Sequence, residues 1–250
     1  MTSTSAIAVP RSHAIADLPW TAVAAHLAGD RRLIVPVGSC EQQGPHLPVG
    51  AATTVAERLA DDLSREFGVL RAPTLHYGVN PKPERDYAGT AGLSGKTLHR
   101  ALNELVADWA CQGVREFVFI TASTHDPHTE AVATVRVEGA RVRVVSALSV
   151  GLAQFLDGEK GPEHAGEALT SLLLHLRPAV VRMDRARDFV LEPGDACLAG
   201  RERRLPAGSP GSVGQPPLAS AEKGREMYEH ILQKIRNKVF IAPPADEDEA

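Results

Sequence analysis

Three short apolar runs, Leu33–Val37, Glu116–Thr121 and Val142–Ala147, are separated by longer stretches of helical periodicity, and this alternation limits what the chain can fold into. The first two are rich in Val, Ile and Phe without polar–apolar alternation, the pattern of strands covered on both faces, and the third is read as another buried strand. Such strands pair in parallel, and a parallel neighbour is reached only through a crossover, usually a helix. Amphipathic helices are predicted over 17–28, 53–66 and 96–112. The second opens on Thr53 as its cap, and the third carries Leu98, Leu102, Leu105, Val106 and Trp109 on one side. An apolar helix over Ala165–Leu176 is ended by Pro178, and a last helix covers Ala219–Val239. With one more strand near Gly68–Ala72, the expected fold is α/β: a three-layer α/β/α sandwich around a mostly parallel sheet.

A chain of 250 residues suits one large domain, placed at 13–241 between a loose tail over 1–12 and an acidic tail over 242–250. Leu191–Pro217, rich in Gly and Pro, reads as a long loop. Hydrophobic residues make up 43% but aromatics only 4%, so the core must be built mainly from Ala, Val and Leu. The net charge is −4 and the basic residues are scattered, which excludes the clustered Lys and Arg of a nucleic-acid partner. No run approaches the roughly 20 apolar residues of a membrane span, and the N-terminus lacks the pattern of a signal peptide. Cys40, Cys111 and Cys197 are odd in number and widely spaced, which fits a reducing cytoplasm better than a disulfide framework.

In parallel α/β sheets the chemistry gathers in loops beyond the carboxyl ends of the strands. Two such loops are rich in reactive groups: Gly38–Ala52, with Cys40, Glu41, Gln43 and His46, and Ala122–His128, with Ser123, His125, Asp126 and His128. A third segment sets Glu163 beside His164 just before a helix, and an imidazole beside carboxylates suits proton transfer near neutral pH. His46, within GPHLP, reads as structural. Cys40 could act as a thiol nucleophile beside a His, but a Cys directly after a buried strand is more often packing. Lys82, Glu84 and Arg85 could bind an anionic substrate but read better as solvated loop residues.

The stretch VPVGSCEQQGPHLPVG, residues 35–50, resembles the first-strand motif of the creatininase family of cyclic-amide and formamide hydrolases. Further blocks follow in that family's order: Tyr77-Gly78, AGTAGLS at 88–94, Glu163-His164-Ala165-Gly166 with Thr170-Ser171, Arg177-Pro178, and GSVGQPPLASAEKGRE at 211–226. The resemblance implies the three-layer α/β fold, an amidohydrolase acting on a small-molecule substrate, and a cytoplasmic homo-oligomer, often a hexamer. It also places the Gly-rich blocks at 88–94 and 211–214 near subunit contacts.

The family holds two divalent metals that share one Asp and a bridging hydroxide. By resemblance Glu41 matches the first ligand, Gln43 stands at a ligand His and Ala52 at the bridging Asp. Ser123 falls at a later His, His125 at a later acid, and Leu169 at a further Glu. A methyl group cannot bridge two cations, and Gln and Ser oxygens are weak neutral ligands. No dinuclear centre is therefore expected. The pattern leaves open a single divalent ion held by Glu41 and His125, with His128 or Asp126.

His164 matches the family's catalytic His. The implied function is acid–base catalysis by Glu41, His125, Glu163 and His164 on a C–N group, amide or cyclic amide, of a small nitrogen-containing metabolite. Cys40, Gln43, Ser123, Asp126 and His128 stand on the substrate side. Losing the metals removes both an activated water and an oxyanion stabiliser, so ring closure or dehydration competes with hydrolysis. The alternative is an inactive relative serving as a binding or scaffold subunit. The wealth of His and acids in THDPHTE at 124–130 argues for the enzyme.

Overall fold

The computed structural model describes residues 13–158, 160–190 and 208–241. The predicted tails over 1–12 and 242–250, and residues 191–207 of the predicted long loop, lie outside the described residues. At the centre are four strands, β1 (Arg32–Val37), β2 (Leu70–Arg71), β3 (Glu116–Thr121) and β4 (Arg141–Ser146), ordered β2-β1-β3-β4 and all parallel. β1 and β3 pair along their whole length, from Arg32 with Glu116 to Val37 with Thr121. Their carboxyl ends therefore lie side by side.

Six helices surround the sheet: α1 (Trp20–Leu27), α2 (Ala51–Phe67), α3 (Gly95–Cys111), α4 (Asp126–Ala133), α5 (Glu167–Leu176) and α6 (Ala221–Ile235). The period-two geometry of the strands sorts their side chains between two cores. Ile34, Val118 and Ile120 pack with α2, α5 and α6, through residues such as Leu59, Leu172 and Ile231. Leu33, Val35, Phe117 and Phe119 pack on the opposite face with Leu98, Leu102 and Val106 of α3 and Leu27 of α1. This is the expected three-layer sandwich.

Several boundaries differ from the sequence reading. α1 begins only after Pro19, which stands at its N-cap. α2 begins at Ala51 with Gly50 as cap, so Thr53 does not cap it. Instead the Thr53 hydroxyl donates to the Ser39 carbonyl (2.8 Å) and accepts from the Ser39 N–H (3.0 Å), joining α2 to the end of β1. Gly38 permits this clasp, since an added Cβ would stand 2.1 Å from Thr53 Oγ1. β2 shortens to two residues. Leu105, predicted on the buried side of α3, is 40% exposed. α6 gives way at Arg236 to a π-helical turn, Arg236–Ile241. α4, Asp126–Ala133, was not predicted: Ala122–His128 was read as a loop, although Pro127 in the first turn is a helix-start signal.

α5 and α6 meet at Gly224, where an added Cβ would stand 1.9 Å from the Ser171 carbonyl oxygen. Tyr228 on α6 donates to Asp62 on α2 at 2.8 Å. Glu167, buried in the first turn of α5, accepts from the N–H groups of Asp157 and Gly158 and pairs with Lys223 of α6. Cys40 and Cys111 are free thiols, and Cys197 lies outside the described residues. Among the described residues no helix is long and apolar enough to cross a membrane.

Candidate active site

Four segments converge at the carboxyl ends of β1 and β3. The loop after β1 turns back on itself, with the Glu41 N–H on the Val49 carbonyl at 3.0 Å and Gly44 in the left-handed region (φ 65°). This buries Glu41 and Gln43. Beyond β3, Ser123 and His125 are buried at the approach to α4. Glu163 and His164 precede α5, followed by Ala165 at φ 52°, the one described non-glycine residue with positive φ. Such a conformation costs about 1–2 kcal/mol. The Val213 N–H holds the His164 carbonyl at 2.8 Å. Fourth, the 3-10 turn Lys82–Asp86 carries Glu84 inward.

Glu41, Gln43, Ser123, His125, Glu163 and His164 line one cavity, walled on its apolar side by Ala52 and Leu169 among others. The centre of a water-sized sphere can move in about 20 Å³ of it, room for one or two waters or an ion. Among the described residues, no Lys or Arg lines it. Ser39 and Gln43 Nε2 both contact Glu41 Oε2, at 3.3 and 3.4 Å. Gln42 and His164 meet through Nε2 at 2.9 Å, and His164 Nε2 lies 3.6 Å from Glu84 Oε2.

Glu84 corrects the sequence reading. It was read as solvated, yet it is 0% exposed, whereas Lys82 is exposed as expected. The side chain of Arg85 lies outside the described residues. Nothing in KPERD separates an inward from an outward acid. The closest hint is its flanks, since Val79, Asn80 and Pro81 are all buried.

Three residues assigned to the substrate side stand apart from the cavity lining. The Cys40 thiol donates to the Gly89 carbonyl at 3.2 Å. Asp126 is exposed in the first turn of α4. His128 is wholly buried and satisfied at both nitrogens. Its Nδ1 accepts from the Val79 N–H (3.2 Å), which leaves the proton on Nε2 for Thr121 Oγ1 (2.9 Å). His128 and Asp126 therefore do not join Glu41 and His125 around an ion. The group that does gather metal-type donors is Glu41, Glu84 and His164, with one donor atom from each within 4.8 Å of the others. His125 lines the cavity but lies outside that group.

His46, expected to be structural, is buried with Nε2 on Thr170 Oγ1 at 2.9 Å. Burial pushes both His46 and His128 down from 6.5 to about 4, and nearby His125 adds to the effect at His128. An unfolded chain takes up these two protons near pH 6.5, but the folded chain only near pH 4. Between those values the unfolded state binds more protons, so stability falls as pH falls. Urea unfolding should show a lower midpoint at pH 5 than at pH 7, and the His46→Gln/His128→Gln double variant should flatten that difference. Equal wild-type midpoints at the two pH values would refute the assignment.

The positions that the family resemblance gives to a two-ion centre lie in this same cavity, with Gln43, Ala52, Ser123 and His125 beside Glu41. That set offers one carboxylate and no bridging group, so two adjacent divalent ions do not fit it.

A parallel α/β/α sandwich with carboxylates and imidazoles gathered at its strand ends carries its reactive groups where enzymes of this fold class carry their sites. The family profile described as "Creatininase: Creatinine amidohydrolase" matches residues 16–239. The chain belongs to the creatininase family. It is 30% identical over 221 residues to the mycofactocin precursor peptide peptidase of Mycobacterium tuberculosis, covering 83% of this chain and 84% of that one. To the creatinine amidohydrolase of Pseudomonas putida it is 26% identical over 251 residues, covering 90% and 95%. A mutant creatininase of Zn–Zn type superposes with a TM-score of 0.77 at 26% identity, covering 90% of this chain and 98% of that one.

Proposed function

We propose that the protein cleaves or closes a C–N bond, amide or cyclic amide, in a small nitrogen-containing metabolite. In this reading it is a cytoplasmic homo-oligomer, a hexamer by resemblance, and its site has no two-ion centre. The observation that carries the reading is the one cavity lined by Glu41, His125, Glu163 and His164, with Glu84 3.6 Å from His164. Breaking a C–N bond requires a proton drawn from water and a proton given to the departing nitrogen. His125, Glu163 and His164 line the cavity, and Glu163 is half-buried, so it can exchange protons with solvent. Gln43 and Ser123 supply neutral polar contacts for a substrate. The names of the relatives, a peptide peptidase and a creatinine amidohydrolase, support C–N chemistry here.

The test is a panel of cyclic amides, formamides and short peptides, offered to a sample whose mass by light scattering is that of a homo-oligomer. Turnover of at least one compound is expected, reduced roughly 10²-fold or more in Glu163→Gln. Inactivity across the panel, in both hydrolytic and ring-closing directions, would count against the reading.

A further inference from the structure

We infer that the acidic segment Asp246–Glu249 of this chain docks on a cluster of arginines at the amino edge of the sheet, the end opposite the candidate active site.

The basic residues are scattered along the sequence, yet the fold gathers four of them. Arg32 of β1, Glu116 of β3 and Arg141 of β4 are paired in register, so their side chains leave the same face of the sheet. Arg31 and Arg115 join them at the edge, with the Arg115 N–H on the Arg31 carbonyl and the Arg141 N–H on the Arg115 carbonyl, both at 2.8 Å. Arg31, Arg32, Arg115 and Arg141 line one open depression of about 800 Å³. Neighbouring strands lie about 4.8 Å apart, so three of them set a basic row about 10 Å wide.

The nearby acids are already engaged. Asp30 takes Arg32 through both carboxylate oxygens, at 3.0 and 2.6 Å. Glu116, the one acid among the described lining residues, lies 2.7 Å from Arg143 Nε. The Ala110 and Val114 carbonyls hold Arg115 Nη1 at 2.7 and 2.8 Å, which fixes its guanidinium without neutralising it. Among the described residues, Arg31, Arg115 and Arg141 have no ion-pair partner. Guanidinium groups crowded in this way repel one another unless a counter-charge stands close by.

The course of the chain points to the occupant. The described residues end at Ile241, 63% exposed, at the close of the turn Arg236–Ile241. That turn lies against the basic edge: Arg32 Cζ stands 5.7 Å from the centre of the Phe240 ring, and Arg143 Nη1 donates to the Lys238 carbonyl at 3.1 Å. The first acid of the tail, Asp246, follows Ile241 by five residues, and five residues reach at most about 18 Å. Asp246, Glu247, Asp248 and Glu249 equal in number the net charge of −4, so the remainder of the chain is balanced. Four extended residues cover about 13 Å, close to the width of the basic row. A tethered segment meets its site at an effective concentration on the order of mM, which a free anion must match to compete.

The experiment maps arginine reactivity on the full chain. Wild type and the Asp246→Asn/Glu247→Gln/Asp248→Asn/Glu249→Gln variant are treated with phenylglyoxal, and modified sites are read by peptide mass spectrometry. At low salt Arg31 and Arg141 should react about fivefold more slowly in wild type, as several weak exposed ion pairs acting together would produce. Arg182 is exposed, with its N–H on the His46 carbonyl beyond the other end of β1, and should react alike in both chains. Wild type alone gives a second reading: salt of about 0.5 M should release Arg31 and Arg141 but not Arg182. Tripolyphosphate serves as the free polyanion, and it should shield the two arginines at lower concentration in the variant than in wild type. Equal low-salt rates in the two chains overturn the inference. So does protection that fades on dilution, which would assign the site to another copy's tail, or equal shielding of both chains by tripolyphosphate, which would assign it to a free polyanion. None of these readings involves turnover, so the C–N reading stands or falls separately.

Discussion

His164→Ala is expected to lower turnover of a C–N substrate by at least about 10²-fold while the chain stays folded, as loss of a group central to proton transfer or water activation would do. The ring is 4% exposed in the cavity wall, with Glu84 3.6 Å away and the Gln42 amide 2.9 Å away. The residue's structural work is done by its backbone, whose carbonyl accepts from the Val213 N–H, and alanine keeps that bond. Steady-state kinetics and far-UV circular dichroism on the same sample separate chemistry from folding. Cys40→Ser is the counterpart. Its thiol is engaged with the Gly89 carbonyl outside the cavity lining, so near-normal turnover is expected. The reverse pattern, with Cys40→Ser dead and His164→Ala active, would replace acid–base chemistry with a thiol nucleophile.

The largest stability effect is expected at Gly224. Alanine inside a helix normally stabilises by about 0.5–1 kcal/mol relative to glycine. Here the added Cβ would stand 1.9 Å from the Ser171 carbonyl oxygen, 2.5 Å from its carbon and 2.9 Å from His175 Cβ. The nearest two are backbone atoms, which cannot rotate away, so α5 and α6 must separate. That opens a contact built on Met227, Ile231, Leu172 and Leu173. Overpacking of this kind costs about 3 kcal/mol, which lowers the melting temperature by roughly 6–12 °C in a chain of this size. Calorimetry on Gly224→Ala reads this directly. An unchanged or higher melting temperature would mean that α5 and α6 are not in close contact.

The central strands were legible because burial on both faces leaves an uninterrupted apolar run, as in Phe117–Ile120, and no other element reads that way. Element ends were less legible, for local reasons. Thr53 has the chemistry of a cap, but its hydroxyl is taken by Ser39. Leu105 follows the helical period of α3, yet at 40% exposure it faces away from the core. In the site, Glu41, Gln43, Ser123, His125, Glu163 and His164 could be named because motif loops at strand ends deliver them together. His128 was placed on the substrate side with the rest of its loop, and only the fold shows the Val79 N–H and the Thr121 hydroxyl waiting for it. Glu84 could not be found at all. It reaches His164 across 80 positions of sequence from an irregular turn, where neither periodicity nor spacing says which way a side chain points.

The pairing of β1 with β3 is complete at Val37 and Thr121, one step before the chain reaches Gly38 and Ala122. Everything reactive on those two segments lies past the last ladder residue. Substitutions of those reactive side chains leave the ladder hydrogen bonds of β1 and β3 in place, so descent can alter the chemistry without renegotiating the sheet. Relatives only 26–30% identical to this chain can thus be a peptide peptidase in one lineage and a creatinine amidohydrolase in another.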